Sequence, residues 1–175
     1  GTVYYDDASF APNDAGISSI LSPKDFCPGT LPITATLENF GTSQLTSATI
    51  NWKLNGVAQP PIPWTGLLDT LNSTTRKTTV TLHPGYAFSA GVPYTIQAWT
   101  TNPNGQADTV AFNDTVTVPR KAAMSGTFTI GGTSPTYPNF TAAAADLNAN
   151  GVCGPVVLNV RNGVYNEQVT FNEIP

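Results

Sequence analysis

Catalysis by an activated nucleophile needs a general base, and the chain contains one histidine that could serve. His83 stands in "LHPG", just after an alternating run and at an expected turn. The Gly-x-Ser-x-Gly turn that exposes a nucleophilic serine does not occur in the sequence. A zinc site needs three or four closely spaced ligands, which one histidine and two distant cysteines cannot supply. The sequence therefore predicts no catalytic residue, no metal site and no cofactor, and the protein is expected not to be an enzyme.

Carboxylate pairs are the other candidates for chemistry, because glycoside hydrolysis uses two of them around one bond. The candidates are Asp6 with Asp7, and Glu167 with Glu173. Neighbouring residues on a strand point to opposite faces, so Asp6 and Asp7 cannot flank one bond. Calcium at Asp6, Asp7 and Asp14 is a weaker alternative, because these residues offer hard oxygen ligands but their spacing is not that of an EF-hand.

Tryptophan side chains could bind a sugar ring by stacking. Trp52 shares its parity with Ile50 and Leu54, which predicts a core position. Trp64, in a proline-rich connector, and Trp99, on the outer parity of its strand, are the exposed candidates for stacking. The favoured interpretation is that both cover an interface with a neighbouring domain, and sugar stacking is the alternative.

A short tripeptide, Asp-Thr followed by an aliphatic residue, occurs three times. It resembles the O-glycosylation signal of Bacteroidota, and the resemblance implies glycans on Thr70, Thr109 and Thr115. The alternative is a strand-forming run in which threonine happens to follow aspartate. The three copies are residues 69–71, 108–110 and 114–116.

The composition excludes several classes of function. Charged residues make up 10% of the chain, against about 25% in ordinary soluble domains. The net charge is -4, and the seven lysines and arginines do not cluster, so no patch suits a nucleic acid. No apolar run approaches the roughly 18 residues of a membrane span. A surface hydrated by hydroxyls and amides is typical of an extracellular all-β protein.

The two cysteines, Cys27 and Cys153, lie far apart in the sequence. They could pair with each other, pair with a partner elsewhere or remain thiols. Free or unpaired thiols are favoured, because the two residues fall in what are expected to be different domains.

Short alternating runs separated by turn residues cover residues 14–119 and predict a β-sandwich. Gly41 is expected to adopt a positive φ in its turn, and Asn55-Gly56 predicts a tight hairpin. In the expected strand 92–100, Val92 is among the residues predicted to face inward. The run 59–66 is too rich in proline for a central strand and is expected to be an edge strand or a connector. The remaining expected strands are residues 15–21, 31–38, 47–56, 75–82 and 114–118.

The pattern changes after Arg120-Lys121. Residues 137–151 form the one helical candidate, with Asn139 as its N-cap and Gly151 as its stop. Strands are expected around it, at residues 126–132, 155–160 and 167–171.

The stretch "ATLENFGTSQLTSATINWKLNG" (35–56) resembles the CARDB family, the bacterial cell-adhesion-related domain. The acidic turn at residues 112–114 and the run 91–108 fit the end of the same pattern. The resemblance implies an immunoglobulin-like sandwich without catalytic activity that acts as a spacer or adhesive unit of large secreted proteins.

The stretch 126–171 resembles the N-terminal cap and first coil of a pectin-lyase-like parallel β-helix. In that family the helix caps the open end of the solenoid, as terminal repeats must. Catalytic residues of such enzymes lie on later coils, so none is carried over to this sequence.

The sequence thus predicts a mainly β chain in three parts. Residues 1–12 are expected to be the tail of a preceding domain and a linker, residues 13–119 an immunoglobulin-like β-sandwich, and residues 120–175 a partial β-helix start with one short capping helix. The expected protein is an O-glycosylated structural or adhesive module of a large extracellular or cell-surface protein, of the Bacteroidota kind exported by type IX secretion. Its expected partners are neighbouring domains of the same polypeptide, and surface glycans or other surface proteins. The alternatives are a carbohydrate-binding region of a polysaccharide-degrading β-helix enzyme and a subunit of an extracellular filament.

Overall fold

The computed structural model describes residues 11–172, which form a mainly β structure with one α-helix and several antiparallel strand pairs. The described residues contain no helix that is long and apolar enough to cross a membrane. In chain order the elements are β1 (Ala15–Ser22), β2 (Gly29–Asn39), β3 (Leu45–Leu54), β4 (Val57–Ala58), β5 (Ile62–Leu68), β6 (Lys77–Phe88), β7 (Pro93–Thr101), β8 (Thr115–Lys121), β9 (Met124–Ile130), α1 (Phe140–Asn150) and β10 (Val152–Val160).

The chain divides into two compact units. Within the described residues, the first unit comprises residues 11–23, 31–86 and 94–120. The second unit comprises the remaining segments, 24–30, 87–93 and 121–172.

The first unit is built from two sheets. One has the strand order β1-β2-β6, and the other has the order β4-β3-β7-β8, with β5 pairing on β3. The pairs β1–β2, β3–β5 and β3–β7 are antiparallel. As expected from its prolines, β5 pairs with β3 alone among the described strands.

Alternation along each strand places the core of the first unit between its sheets. Ile17 and Leu37 of one sheet and Ile50 and Ile96 of the other are 0% exposed. Trp52 is 3% exposed, which confirms its predicted core position. In β2, β3 and β7 the residues that face the core are the alternate residues that the sequence predicts to face inward.

One inward assignment is wrong. Val92 is 40% exposed, because it precedes β7 and its amide closes a turn by donating to the Ser89 carbonyl, 3.5 Å away.

Of the two predictions made for glycine-containing turns, one is confirmed and one is wrong. Asn55 and Gly56 have φ values of 51° and 79° and join β3 to β4, which confirms the predicted hairpin. Gly41 is not among the residues with positive φ, so that expectation is wrong. Glycine is needed there for another reason, because a Cβ on Gly41 would lie 2.5 Å from the Pro12 carbonyl oxygen.

The second unit contains the parallel pair β9–β10, with α1 as the crossover between the two strands. Met124, Phe128, Ile130, Tyr137 and Leu147 are among its buried residues. The helix begins after Asn139, whose side chain accepts a hydrogen bond from the Ala142 amide, and Gly151 follows its last residue. Both predicted helix boundaries are therefore confirmed.

The expected strand at residues 167–171 is absent from the described part of the chain. Its polar groups bond to α1 instead of to a neighbouring strand. The carbonyl of Thr170 accepts from Asn148 Nδ2 at 2.9 Å, and the Asn172 amide donates to Asn148 Oδ1 at 2.9 Å. Alternation alone could not reveal this, because a strand also needs a partner for its backbone groups.

The expectation of unpaired cysteines is also wrong. Cys27 and Cys153 form a disulfide with a Cα–Cα distance of 5.5 Å. The physical reason is that residues 24–30 belong to the same unit as Cys153, although they precede most of the sandwich in the sequence.

Candidate functional site

The three threonines of the Asp-Thr tripeptides do not share one environment. Thr109 and Thr115 are exposed, whereas Thr70 is half-buried. Thr115 is the first residue of β8, and Thr109 lies in the loop that precedes that strand. The hydroxyl groups of Thr109 and Thr115 therefore lie on residues accessible to a modifying enzyme.

The aspartates of the same tripeptides have structural contacts that the sequence did not reveal. The Asp69 carboxylate accepts hydrogen bonds from the Gln44 amide, the Ser73 hydroxyl and the Thr75 hydroxyl. These bonds, that from Thr75 first, lower the pKa of Asp69. Asp69 therefore orders its own turn.

Asp108 and Asp114 instead meet Asp14 in one carboxylate cluster, which we define by these three residues. One oxygen of each lies within 4.8 Å of one oxygen of each of the others. Asp14 directly precedes β1, and the other two lie in the loop between β7 and β8. The fold brings these segments together, since the Ile17 amide on β1 donates to the Asp114 carbonyl at 3.0 Å.

Backbone amides hold Asp108, one member of the cluster, by both of its carboxylate oxygens. Asp108 Oδ2 accepts from the Ala15 amide at 3.0 Å, and Oδ1 accepts from the Val110 amide at 2.9 Å. Close approach of the backbone is required as well, because a Cβ on Gly16 would lie 2.4 Å from the Asn113 carbonyl oxygen.

Burial leaves three oxygen atoms of the cluster region without a partner. Asp14 and Asp114 are 1% and 8% exposed. Asp14 Oδ2 accepts from Asn113 Nδ2 at 3.2 Å, but Asp14 Oδ1, Asp114 Oδ1 and Asn113 Oδ1 accept no hydrogen bond. An unpaired buried polar atom is costly, so such atoms mark a place where a partner is expected.

Both buried carboxyl groups have raised pKa values. Burial, followed by the charges of Asp108 and Asp14, raises the pKa of Asp114 to about 7. Burial also raises the pKa of Asp14 to about 6, with the Asp108 charge adding to it and the bond from Asn113 opposing it. Within the described residues no ion pair includes any of the three aspartates. The cluster is therefore a concentration of negative charge with only oxygen ligands, the donor set that hard cations prefer.

The sequence pointed to one member of this cluster. Asp14 was grouped with Asp6 and Asp7 as a possible calcium site, but Asp6 and Asp7 lie outside the described residues. Its actual neighbours, Asp108 and Asp114, are about a hundred residues further along the chain. They were noted for the threonines that follow them and, in the case of Asp114, for the acidic turn at residues 112–114. No local spacing could have revealed the cluster, because it depends on the loop before β8 lying beside the start of β1.

The two tryptophans proposed for sugar stacking do not form one platform. Trp64 pairs across the sheet with Ala48, and Trp99 pairs with Asn51. Residues opposite each other in an antiparallel pair share a face, and Ala48 and Asn51 have opposite parity on β3. Trp64 and Trp99 therefore lie on opposite faces of one sheet. Trp99 is also occupied on its own face, where Lys53 Nζ lies 5.5 Å from its ring centroid.

His83 is part of an aromatic group. It lies within β6 and not at a turn after a strand, so its expected position is wrong. Its Nδ1 accepts a hydrogen bond from the Gly85 amide at 3.1 Å. The rings of Trp52 and Tyr86 contact it edge-on, with centroids 6.2 and 5.9 Å away. These contacts describe a structural histidine.

Glu167, considered as one of a carboxylate pair, caps a helix instead. Its carboxylate accepts from the Phe140 amide at 3.2 Å and from the Thr141 amide and hydroxyl at 2.8 and 2.6 Å. The two amide donors belong to the first turn of α1, where backbone amides have no partner within the helix. The proposed partner, Glu173, lies outside the described residues.

This cap predicts a specific pH dependence. The bonds from Thr141, its hydroxyl first, lower the pKa of Glu167. A carboxyl group with a lowered folded pKa stabilises the fold above its unfolded pKa, and that stabilisation is lost as the pH falls through the folded pKa. We expect the amide resonance of Thr141 to titrate with a midpoint below about 4.3, the ordinary value for glutamate.

The measurement is an NMR pH titration of the full chain, with Glu167→Gln as the matched variant. The variant should lose the Thr141 titration while keeping the other amide titrations. A midpoint at or above the ordinary glutamate value would contradict the capping role.

Comparisons with known proteins give structural similarity alone. No family profile and no curated protein matches this sequence. A crystal structure of the CARDB domain of the PF1109 protein from Pyrococcus furiosus, in complex with di-metal ions, is 18% identical over 68% of this chain and 98% of its own, with a TM-score of 0.48. A solution structure of the same domain is 14% identical, covers 67% of this chain and 99% of its own, and has a TM-score of 0.45. Residues 272–376 of a putative cell surface protein from Methanosarcina acetivorans are 21% identical over 62% of this chain and 90% of their own, with a TM-score of 0.48.

Proposed function

We propose that this chain is a non-catalytic structural or adhesive module of a large secreted or cell-surface bacterial protein. The observation that carries the proposal is the disulfide between Cys27 and Cys153. Disulfides form and persist in oxidising compartments, outside the cytosol. A chain with so few charges and a surface rich in hydroxyls and amides suits the same location.

The first unit acts as an immunoglobulin-like, CARDB-like spacer in this proposal. Its support is the strand partition, because β1, β2 and β6 lie in one sheet and β3, β7 and β8 lie in the other. Immunoglobulin-like sandwiches divide their strands in this manner. The CARDB-like stretch at residues 35–56 contributes β3 and the hairpin that follows it. Its partners are neighbouring domains of the same polypeptide, and surface glycans or other surface proteins.

The second unit acts as the first coil of a parallel β-helix. The support is the parallel pair β9–β10 with α1 between the strands. Further support comes from apolar side chains that a following coil would cover. Val160 on β10 is 48% exposed, and Val164 is 87% exposed.

Glycosylation of the Asp-Thr tripeptides is part of the proposal. It is supported by the exposure of Thr109 and Thr115, which leaves both residues open to an enzyme that attaches sugar. Half-buried Thr70 is the weakest of the three candidates.

One measurement on native protein tests location and modification together. Cells of the source organism are treated with iodoacetamide without reductant, and the intact mass of the protein is then determined. We expect no carbamidomethyl group, because both cysteines are paired, and we expect mass in excess of the chain that matches glycans. Two carbamidomethyl groups would contradict an oxidising location. A mass free of any excess would end the glycosylation hypothesis while leaving the structural role intact.

A further inference from the structure

We propose that the carboxylate cluster of Asp14, Asp108 and Asp114 binds one divalent cation of the calcium class and thereby joins the start of β1 to the loop before β8. The proposal concerns the first unit alone, and it does not depend on the function proposed above.

The unpartnered atoms are the first argument. Asp114 is 8% exposed, and none of the hydrogen bonds described for the chain involves either of its carboxylate oxygens. Asp14 is 1% exposed and has a free Oδ1. Two buried carboxylates that face a third without an ion pair are strongly unfavourable, whereas a cation at their centre would neutralise them and occupy the free oxygens.

Asn113 could supply a fourth oxygen if its side-chain amide turned over, because its nitrogen now faces Asp14. Its amide nitrogen lies 3.2 Å from Asp14 Oδ2, and its Oδ1 is buried without a partner. A calcium site combines carboxylate oxygens with amide oxygens and water, so this side chain extends the ligand set in the expected chemistry.

The spacing allows one cation to reach all three carboxylates. Oxygens that lie at most 4.8 Å apart can share a centre no more than about 2.8 Å from each of them, and calcium–oxygen distances are about 2.3–2.6 Å. Closure by a few tenths of an ångström at most would therefore complete the site. Magnesium requires a near-ideal octahedron, whereas calcium accepts irregular geometry, so ligands from two separate segments suit calcium better.

The position of the cluster gives the cation a structural role. Asp14 is the last residue before β1, and its carbonyl already accepts from the Phe40 and Gly41 amides at 2.9 and 3.0 Å. A cation bound to its side chain would fix the point at which the chain enters the sandwich to the loop that leads into β8.

The test is calorimetric titration of the EDTA-stripped full chain with calcium chloride, together with thermal unfolding. We expect one calcium ion per chain. When free calcium is about a hundredfold above the dissociation constant, we expect Tm to rise by about 5–10 °C. Magnesium should produce a smaller rise.

Asp114→Asn is the informative variant, because it removes one charge without changing shape or breaking a hydrogen bond made by that side chain. Its calcium affinity should fall at least tenfold. The matched control is Asp25→Asn, which makes the same charge change at an exposed loop residue and should bind calcium as the wild type does.

The titration of the wild-type chain tests calcium binding even if a variant folds poorly. No heat and no change in Tm up to about 10 mM calcium, the range of weak extracellular sites, would overturn the proposal. Calcium binding that Asp114→Asn leaves unchanged would overturn the assigned residues. A magnesium response as large as the calcium response would overturn the assignment to a large cation.

Discussion

Replacing Cys27 and Cys153 together with alanine is expected to lower the free energy of unfolding by about 5 kcal/mol. The disulfide joins residues 126 positions apart, and a cross-link that closes so long a loop removes much conformational freedom from the unfolded chain. The loss is a large fraction of the roughly 5–15 kcal/mol that stabilises an ordinary domain. Urea denaturation followed by circular dichroism measures it.

Reductant provides the control for this prediction. Cys27 is exposed, so dithiothreitol should reach the disulfide and shift the wild type to the midpoint of the double variant. The double variant itself should not respond to dithiothreitol. Equal midpoints for wild type and variant under oxidising conditions would contradict a stabilising disulfide.

The second large effect is expected at a buried ion pair in the first unit. The side chain of Glu38 is 3% exposed and lies 2.8 Å from Arg76 Nη2 and 3.0 Å from Lys77 Nζ. Arg76→Met would leave this carboxylate buried with only the more exposed lysine beside it. Removing one partner of a buried pair costs about 3–5 kcal/mol, and we expect the lower end of that range because Lys77 remains.

Lys77→Met is the matched control. The Lys77 side chain is 48% exposed, twice the 24% of Arg76, so its contact with Glu38 is screened by water. We expect Lys77→Met to cost about 1 kcal/mol or less. The urea concentrations at the unfolding midpoints of the two variants are compared. The dependence of the unfolding free energy on urea concentration should be the same in both. Equal losses for both would show that burial does not distinguish the two contacts.

The buried carboxylates of the first unit differ in whether cationic side chains lie beside them. Glu38 has two cations within 3.0 Å. Asp14 and Asp114 have none in the described ion pairs, and burial raises the pKa of both. This contrast within one unit is why a cation is proposed at the cluster.

Short-range order in this chain was predictable from sequence. The alternation that buries Ile50 and Trp52 has a period of two, which the backbone of any strand imposes. The Asn55-Gly56 hairpin and the Asn139 cap depend on residues within one turn of each other. Such features need no knowledge of the rest of the fold.

Predictions failed where the role of a residue is set by a contact with a residue distant in the sequence. Gly41 was expected to need a positive φ, but glycine is required there by the approach of Pro12, far from it in the sequence. Residues 167–171 alternate as a strand does, yet their polar groups bond to α1. The family resemblance gave an expected fold for the sandwich, but it carried no contact between particular side chains.

The sequence by itself determined the mainly β character, the faces of the strands, the helix and its ends, because each follows from neighbours a few residues apart. Only the tertiary structure decided which distant residues meet. It paired Cys27 with Cys153, and it placed Asp14 beside Asp108 and Asp114. These contacts depend on which strands become neighbours in the two sheets. The alternation of apolar and polar residues along a strand carries no information about that strand order.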